Sequence, residues 1–177
     1  MDLPQLIALG GKDPELRFLI IGGYAVMAHG YQRATFDIDF LSSIEDRSEW
    51  TPRLTDAGLE LLRENKNFTQ FKNPSGADLD MMFVASESFE KMWPERKTLA
   101  IDGSDAHVVS LKHLLALKLH VLKQQPTHRT FKDAQDVEHL VRRNGIDLSS
   151  PEYEEWFLKY GSREIYETIR RIVRRPG

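Results

Sequence analysis

The chain has 177 residues, 24 of them basic and 27 acidic, with 41% hydrophobic and 29% charged content and no cysteine. That is the make-up of an ordinary globule of one domain, or of one domain with a helical appendage, and a net charge of −3 gives no global nucleic-acid signature. Disulfides, thiolate zinc sites and cysteine nucleophiles are excluded; no run approaches the ~18 apolar residues of a membrane span, and the first residues lack the basic and apolar segments of a signal peptide, so a cytoplasmic location is expected.

Leu3 to Leu9 reads as a leading helix stopped by Gly10-Gly11. Phe18 to Ile21 is a continuous apolar run, the pattern of a strand buried on both faces. Gly22-Gly23 breaks it, since glycine tolerates positive φ and leaves backbone N–H groups uncovered. Tyr24 to Ala28 continues as a short helix, which places those groups where phosphate is favoured. A second strand carries Asp37-Ile38-Asp39-Phe40. Residues two apart share a strand face, so both acids point one way while Ile38 and Phe40 point into the core. Two neighbouring carboxylates repel unless a cation lies between them, and hard oxygen donors of this kind suit Mg²⁺ together with substrate phosphates.

Ser43 to Ala57 is expected to be helical, with Gly58 as its stop. Leu59 to Arg63 and Phe68 to Lys72 read as strands, and Asn73-Pro74-Ser75-Gly76 as a turn. Ala77 to Val84 is a further strand with Asp78 and Asp80 on one face. Ser86 to Trp93 is a helix closed by Pro94, and Thr98–Ile101 with His107–Val109 form a hairpin around Asp102-Gly103-Ser104. Helices fill the last third. One runs from the N-cap Ser110 to about Gln125 and Pro126, with Leu111, Leu114, Leu115 and Leu122 as an apolar stripe. Lys118 lies inside that stripe, where a lysine is costly unless it snorkels or meets an anion. Lys112, His113, His120 and Lys123 fall on the opposite, solvent face. The next helix, Thr130 to Asn144, holds Asp133 within its apolar arc and Asp136 beside it, so Lys118 and Asp133 can pair across the junction. Ser150-Pro151-Glu152 starts a helix with an aromatic face, and Ser162 caps a last one in which Ile165, Ile169, Ile172 and Val173 face inward. Its arginines, Arg170, Arg171, Arg174 and Arg175, suit a helix C-terminus, or alternatively the phosphate backbone of an RNA.

Gly22-Gly23, thirteen residues, then Asp37-Ile38-Asp39 resembles the signature of the polymerase-β-like nucleotidyltransferase superfamily. The longer string, Gly-Gly-Tyr-Ala…His29-Gly30…Arg33-Ala34-Thr35…Asp37-Ile-Asp39, is most similar to its abortive-infection (AbiEii-type) toxin-like branch. Many members have Gly-Ser where this chain has Gly22-Gly23, so a serine hydroxyl that would touch phosphate is missing here. The resemblance spans about residues 15 to 143. It implies an α/β (α+β) nucleotidyltransferase fold, with a small mixed sheet flanked by helices over 1–109 and a helical segment over 110–177. It further implies a third carboxylate at Asp80, with Asp78 in reserve. Asp37, Asp39 and Asp80 would hold two Mg²⁺ ions, or Mn²⁺. Gly22, Gly23, Arg33 and Lys118 would bind the nucleotide. The reaction implied is transfer of a nucleoside monophosphate from an NTP to an acceptor hydroxyl with release of pyrophosphate. The acceptor expected from the toxin-like branch is RNA or protein, with a cognate antitoxin as partner. The alternatives are an aminoglycoside- or lincosamide-type antibiotic nucleotidyltransferase and a non-catalytic nucleotide-binding module.

Overall fold

The computed structural model of the protein describes residues 1–124 and 129–174. It divides into two compact units, Met1–Ala25 with Arg33–Ser110, and Val26–Gln32 with Leu111–Gly177.

The first unit is built on one sheet. Helix α1 (Leu3–Gly10) precedes strand β1 (Phe18–Ile20), the start of α2 (Gly22–Ala28), and β2 (Asp37–Ser43). After α3 (Arg47–Asp56) come β3 (Glu60–Asn65), β4 (Phe68–Lys72) and β5 (Asp78–Val84), then α4 (Ser86–Met92), β6 (Lys97–Ile101) and β7 (Ser104–Val108). The seven strands lie in the order β3-β4-β5-β2-β1-β7-β6. β2 runs parallel to β5 and β1 parallel to β7, and the remaining pairs are antiparallel, so the sheet is mixed. β1 is buried along its whole length, as its apolar run requires; β5 alternates throughout, and β2 alternates over Asp37–Phe40 and is buried from Leu41 to its end. Phe18 stacks on Phe40 at 4.4 Å and meets Trp50 edge-on at 5.5 Å. The Trp50 indole donates to Ser42 Oγ at 3.0 Å, which satisfies its one polar atom inside the core.

Local chemistry moves several boundaries. The Ser43 hydroxyl accepts from Glu45 N, so the chain leaves β2 through a single 3₁₀ turn, Ile44–Asp46, before α3 begins. Pro52 lies inside α3, and Gly58 follows it with φ +94°. β3 extends to Asn65, with its register shifting between Leu61 and Arg63. The hairpin turn is two residues long, Asp102 at φ +47° and Gly103 at φ +79°, which lets Ser104 pair with Ile101.

The second unit is helical: α5 (Leu111–Gln124), α6 (Arg129–Arg143), α7 (Pro151–Tyr160) and α8 (Arg163–Arg174). α5 packs on α6 and α7, and α8 contacts all three. Leu115, Leu119, Val137, Leu140, Phe157 and Ile169 form its centre, and the buried Tyr166 hydroxyl donates to Leu148 O at 2.6 Å. The segment 26–32 belongs to this unit, where Tyr31 stacks on His139 at 3.9 Å and Asn144 donates to His29 O. One expectation fails here. His113 is buried rather than facing solvent, because α7 covers that flank of α5 and sets Trp156 against the imidazole edge-on at 5.8 Å. On α8 it is Tyr166 and Ile169 that are fully buried, while Ile165, Ile172 and Val173 stay half-exposed. The stop expected at Gln125-Pro126, and Arg175, lie outside the described residues.

Candidate active site

The site grows from the parallel pairing of β2 with β5. Their register sets Asp37 opposite Asp78 and Asp39 opposite Asp80, which brings four acids onto one face of the sheet. Ligand oxygens of Asp37, Asp39 and Asp80 all lie within 4.8 Å of one another, and the three residues are half-buried. Among the described residues this is the group of acids or histidines close enough to share a metal ion. Asp78 is held elsewhere: its Oδ1 accepts from Asn73 N at 2.9 Å and ties down the turn between β4 and β5. Three carboxylates at this spacing are hard oxygen donors matched to a small divalent cation, and the residues present therefore fit Mg²⁺ or Mn²⁺.

The glycine corner abuts the acids directly. Gly22 has φ +57°, and a Cβ built on it would overlap the Asp39 carboxylate. Glycine is required there both for its backbone conformation and for the approach of Asp39. Gly23 has no positive φ; its constraint is space, since a Cβ there would overlap the side chain of Thr35 and stand 3.2 Å from an Arg33 guanidinium nitrogen. Arg33 thus lies over the glycine corner, with its Nη1 also donating to Ala34 O at 2.9 Å.

Two neutral side chains bracket the cluster. Thr35 Oγ1 donates to Asp37 Oδ1 at 3.0 Å, and Gln70 Nε2 donates to Asp80 Oδ1 at 2.9 Å from the neighbouring strand β4. The signal for Thr35 was its place two residues before Asp37, which in extended chain means the same face. Gln70 shares a register position with Asp80; nothing in the sequence announces that pairing.

Lys118, in the helical unit, is buried on α5. Its Nζ lies 2.6 Å from Asp133 Oδ1 and 2.7 Å from Asp136 Oδ2, so one ammonium serves two buried carboxylates on α6. The pairing open in the sequence is therefore present, with Asp136 joining it.

No family model matches the sequence, and no curated protein matches it. Similarity appears at the level of solved structures. ANT(2")-Ia in complex with adenylyl-2"-tobramycin is 16% identical, with 92% of this chain and 97% of that one covered at a TM-score of 0.66. An antigenic nucleotidyltransferase-like protein from Paracoccidioides brasiliensis is 18% identical over 94% and 90% of the two chains, with a TM-score of 0.54. The lincomycin-bound lincosamide adenylyltransferase LnuA is 13% identical over 79% and 98%, with a TM-score of 0.53. At these identities the likeness is one of architecture, and the AbiEii-type branch is not singled out by it. A mixed sheet flanked by helices, with 92% and 94% of the chain covered in two of these structures, gives the chain the nucleotidyltransferase fold.

Proposed function

We propose that the protein is a divalent-metal-dependent nucleotidyltransferase that moves a nucleoside monophosphate from an NTP to an acceptor hydroxyl. The observation that carries this reading is the meeting of Asp37, Asp39 and Asp80 within 4.8 Å beside a glycine corner, on a sheet shared with known nucleotidyltransferases. A bound divalent cation supplies charge neutralisation at the α-phosphate and lowers the pKa of the attacking hydroxyl. The residues do the rest. Asp37, Asp39 and Asp80 would together hold the cation, and Asp80, at the β5 edge, would also take the acceptor's proton. The acceptor oxygen bonds to the α-phosphorus, the bond from that phosphorus to the β-bridging oxygen breaks, and pyrophosphate leaves with the electron pair. Gly22 and Gly23 allow the triphosphate to approach the backbone, and Arg33, beside them, neutralises charge on it.

For the acceptor we infer RNA or protein, with a cognate antitoxin as partner. Charge distribution favours a polyanion: the helical unit carries thirteen basic against nine acidic residues, whereas the sheet unit carries eleven against eighteen. A small-molecule acceptor is the second reading, favoured by the likeness to ANT(2")-Ia and LnuA, whose structures hold an adenylylated aminoglycoside and lincomycin.

Incubation with each α-labelled NTP, Mg²⁺, and separate pools of cell RNA, protein and aminoglycoside or lincosamide drugs tests both parts. Label is expected in a macromolecular pool, dependent on Mg²⁺ and reduced at least ~10³-fold by Asp37→Ala. Label in the drug pool alone selects the second reading. Absence of transfer from every NTP to every pool, with no NTP binding, defeats the enzyme assignment.

A further inference from the structure

We propose that Thr35 is a positioning residue for the acidic cluster: its hydroxyl fixes Asp37 so that this carboxylate joins Asp39 and Asp80 around one cation, and residue 23 is glycine because Thr35 occupies its side-chain space. This rests on reading the three acids as a cation site.

Three observations converge on Thr35. Its Oγ1 donates to Asp37 Oδ1 at 3.0 Å, which leaves Oδ2 as the oxygen with full freedom to face a cation. Its Cβ and Oγ1 fill the volume that any side chain at position 23 would need. The same segment brings Arg33 to this corner, its Nη1 3.2 Å from the position a Cβ on Gly23 would take, so Thr35 and Arg33 together cover the first turn of α2. A hydroxyl missing from the glycine pair is thereby present at the same place, delivered from twelve residues further along the chain. The chemistry gives it a definite task. Asp37, Asp39 and Asp80 repel one another, and an unrestrained Asp37 would relax away from its neighbours by rotating about χ1. A donor on one oxygen holds it in place before the cation arrives, as the partners of metal ligands commonly do. Gln70 does the same for Asp80.

The alternative is that Thr35 only staples the loop, since its hydroxyl also lies 3.4 Å from Asp37 O. The two are separated by titrating the full-length protein with Mn²⁺ alone, followed by the paramagnetic resonance of the free ion, and by melting each variant in the absence of metal. Thr35→Val, which keeps the shape and loses the hydroxyl, is expected to weaken Mn²⁺ binding about ten-fold, and Thr35→Ser to stay within about two-fold of wild type. If Thr35→Val melts early, Thr35→Ala is read in the same way. Gly23→Ala is expected to abolish binding in the wild type and to be less damaging beside Thr35→Gly, where the space is free. Mn²⁺ affinities of the valine and alanine variants equal to wild type, or a serine variant as weak as valine, overturn the proposal. A wild type that does not bind Mn²⁺ any better than Asp37→Asn overturns the cation reading itself, and the proposal with it.

Discussion

Asp39 sits against Gly22 and opposite Asp80, and at this residue catalysis and stability should pull apart. Like charges at directly paired strand positions destabilise a sheet. Asp39→Asn is therefore expected to raise the melting temperature in EDTA, by about 0.5–1 kcal/mol in stability, while removing Mg²⁺-dependent transfer. In millimolar Mg²⁺ the order reverses, because only the wild type gains from binding the ion. Equal melting of the two proteins in EDTA would show that the acids do not strain the apo sheet. Much of this site was legible as residue types. The alternation of Asp37-Ile38-Asp39-Phe40 and of Asp78-Leu79-Asp80-Met81 announced two acidic faces, and the structure buries Ile38, Phe40, Leu79 and Met81 as that alternation requires. Alternation alone did not choose between Asp78 and Asp80 as the acid that joins the other strand's pair; only the family resemblance put Asp80 first. That choice depends on Asn73 capturing Asp78 in a turn and on a register set across about forty residues.

Among the elements, α5 and α6 are coupled through a buried charge. Lys118, Asp133 and Asp136 are each at most 9% exposed, so removing the ammonium leaves two carboxylates facing each other without water. Lys118→Met is expected to cost about 3–5 kcal/mol, measured by urea unfolding at pH 7 without nucleotide. A variant that unfolds like wild type and differs only in NTP affinity would assign Lys118 to phosphate alone. The helical periodicity of α5 pointed to a lysine in a core stripe, and Asp133 to its partner; Asp136 joined because i and i+3 share a face. His113 was misplaced for a reason that periodicity misses. One amphipathic stripe accounts for one neighbour, and α5 has three helices around it, so residues on a second flank are buried as well.

For the molecule as a whole, acid should act through two groups of opposite sign. Burial, with Arg96 beside it, holds the His107 imidazole below its ordinary 6.5. The folded state thus resists a proton that the unfolded chain takes up near pH 6.5. This contribution to stability is complete above that pH and drains as pH falls through the lower folded value. Burial raises the Asp46 carboxyl above its ordinary 3.8, so its protonation favours the fold as pH falls toward that value. Melting curves between pH 7 and 5 are expected to decline for wild type and to flatten for His107→Gln. Asp46→Asn should be more stable than wild type at pH 7. Parallel curves for wild type and His107→Gln would remove the histidine from this account. At the same scale, strands in the first two-thirds and helices in the last were readable from pattern and turn chemistry. The strand order was not, because pairings such as Ile20 with Val108 join segments whose proximity no local signal encodes.

The parallel alignment of β2 with β5 carries a kinetic consequence. A slip of one residue between them would turn Asp80 inward and bring Met81 out among the acids, and a slip of two in the direction that sets Met82 beside Asp39 would leave a thioether in place of the carboxylate. Each of these mispaired sheets therefore lacks the third ligand. Ions present while the chain is folding would bind only the correctly threaded product, so refolding in Mn²⁺ should pull the population toward one alignment and proofread it.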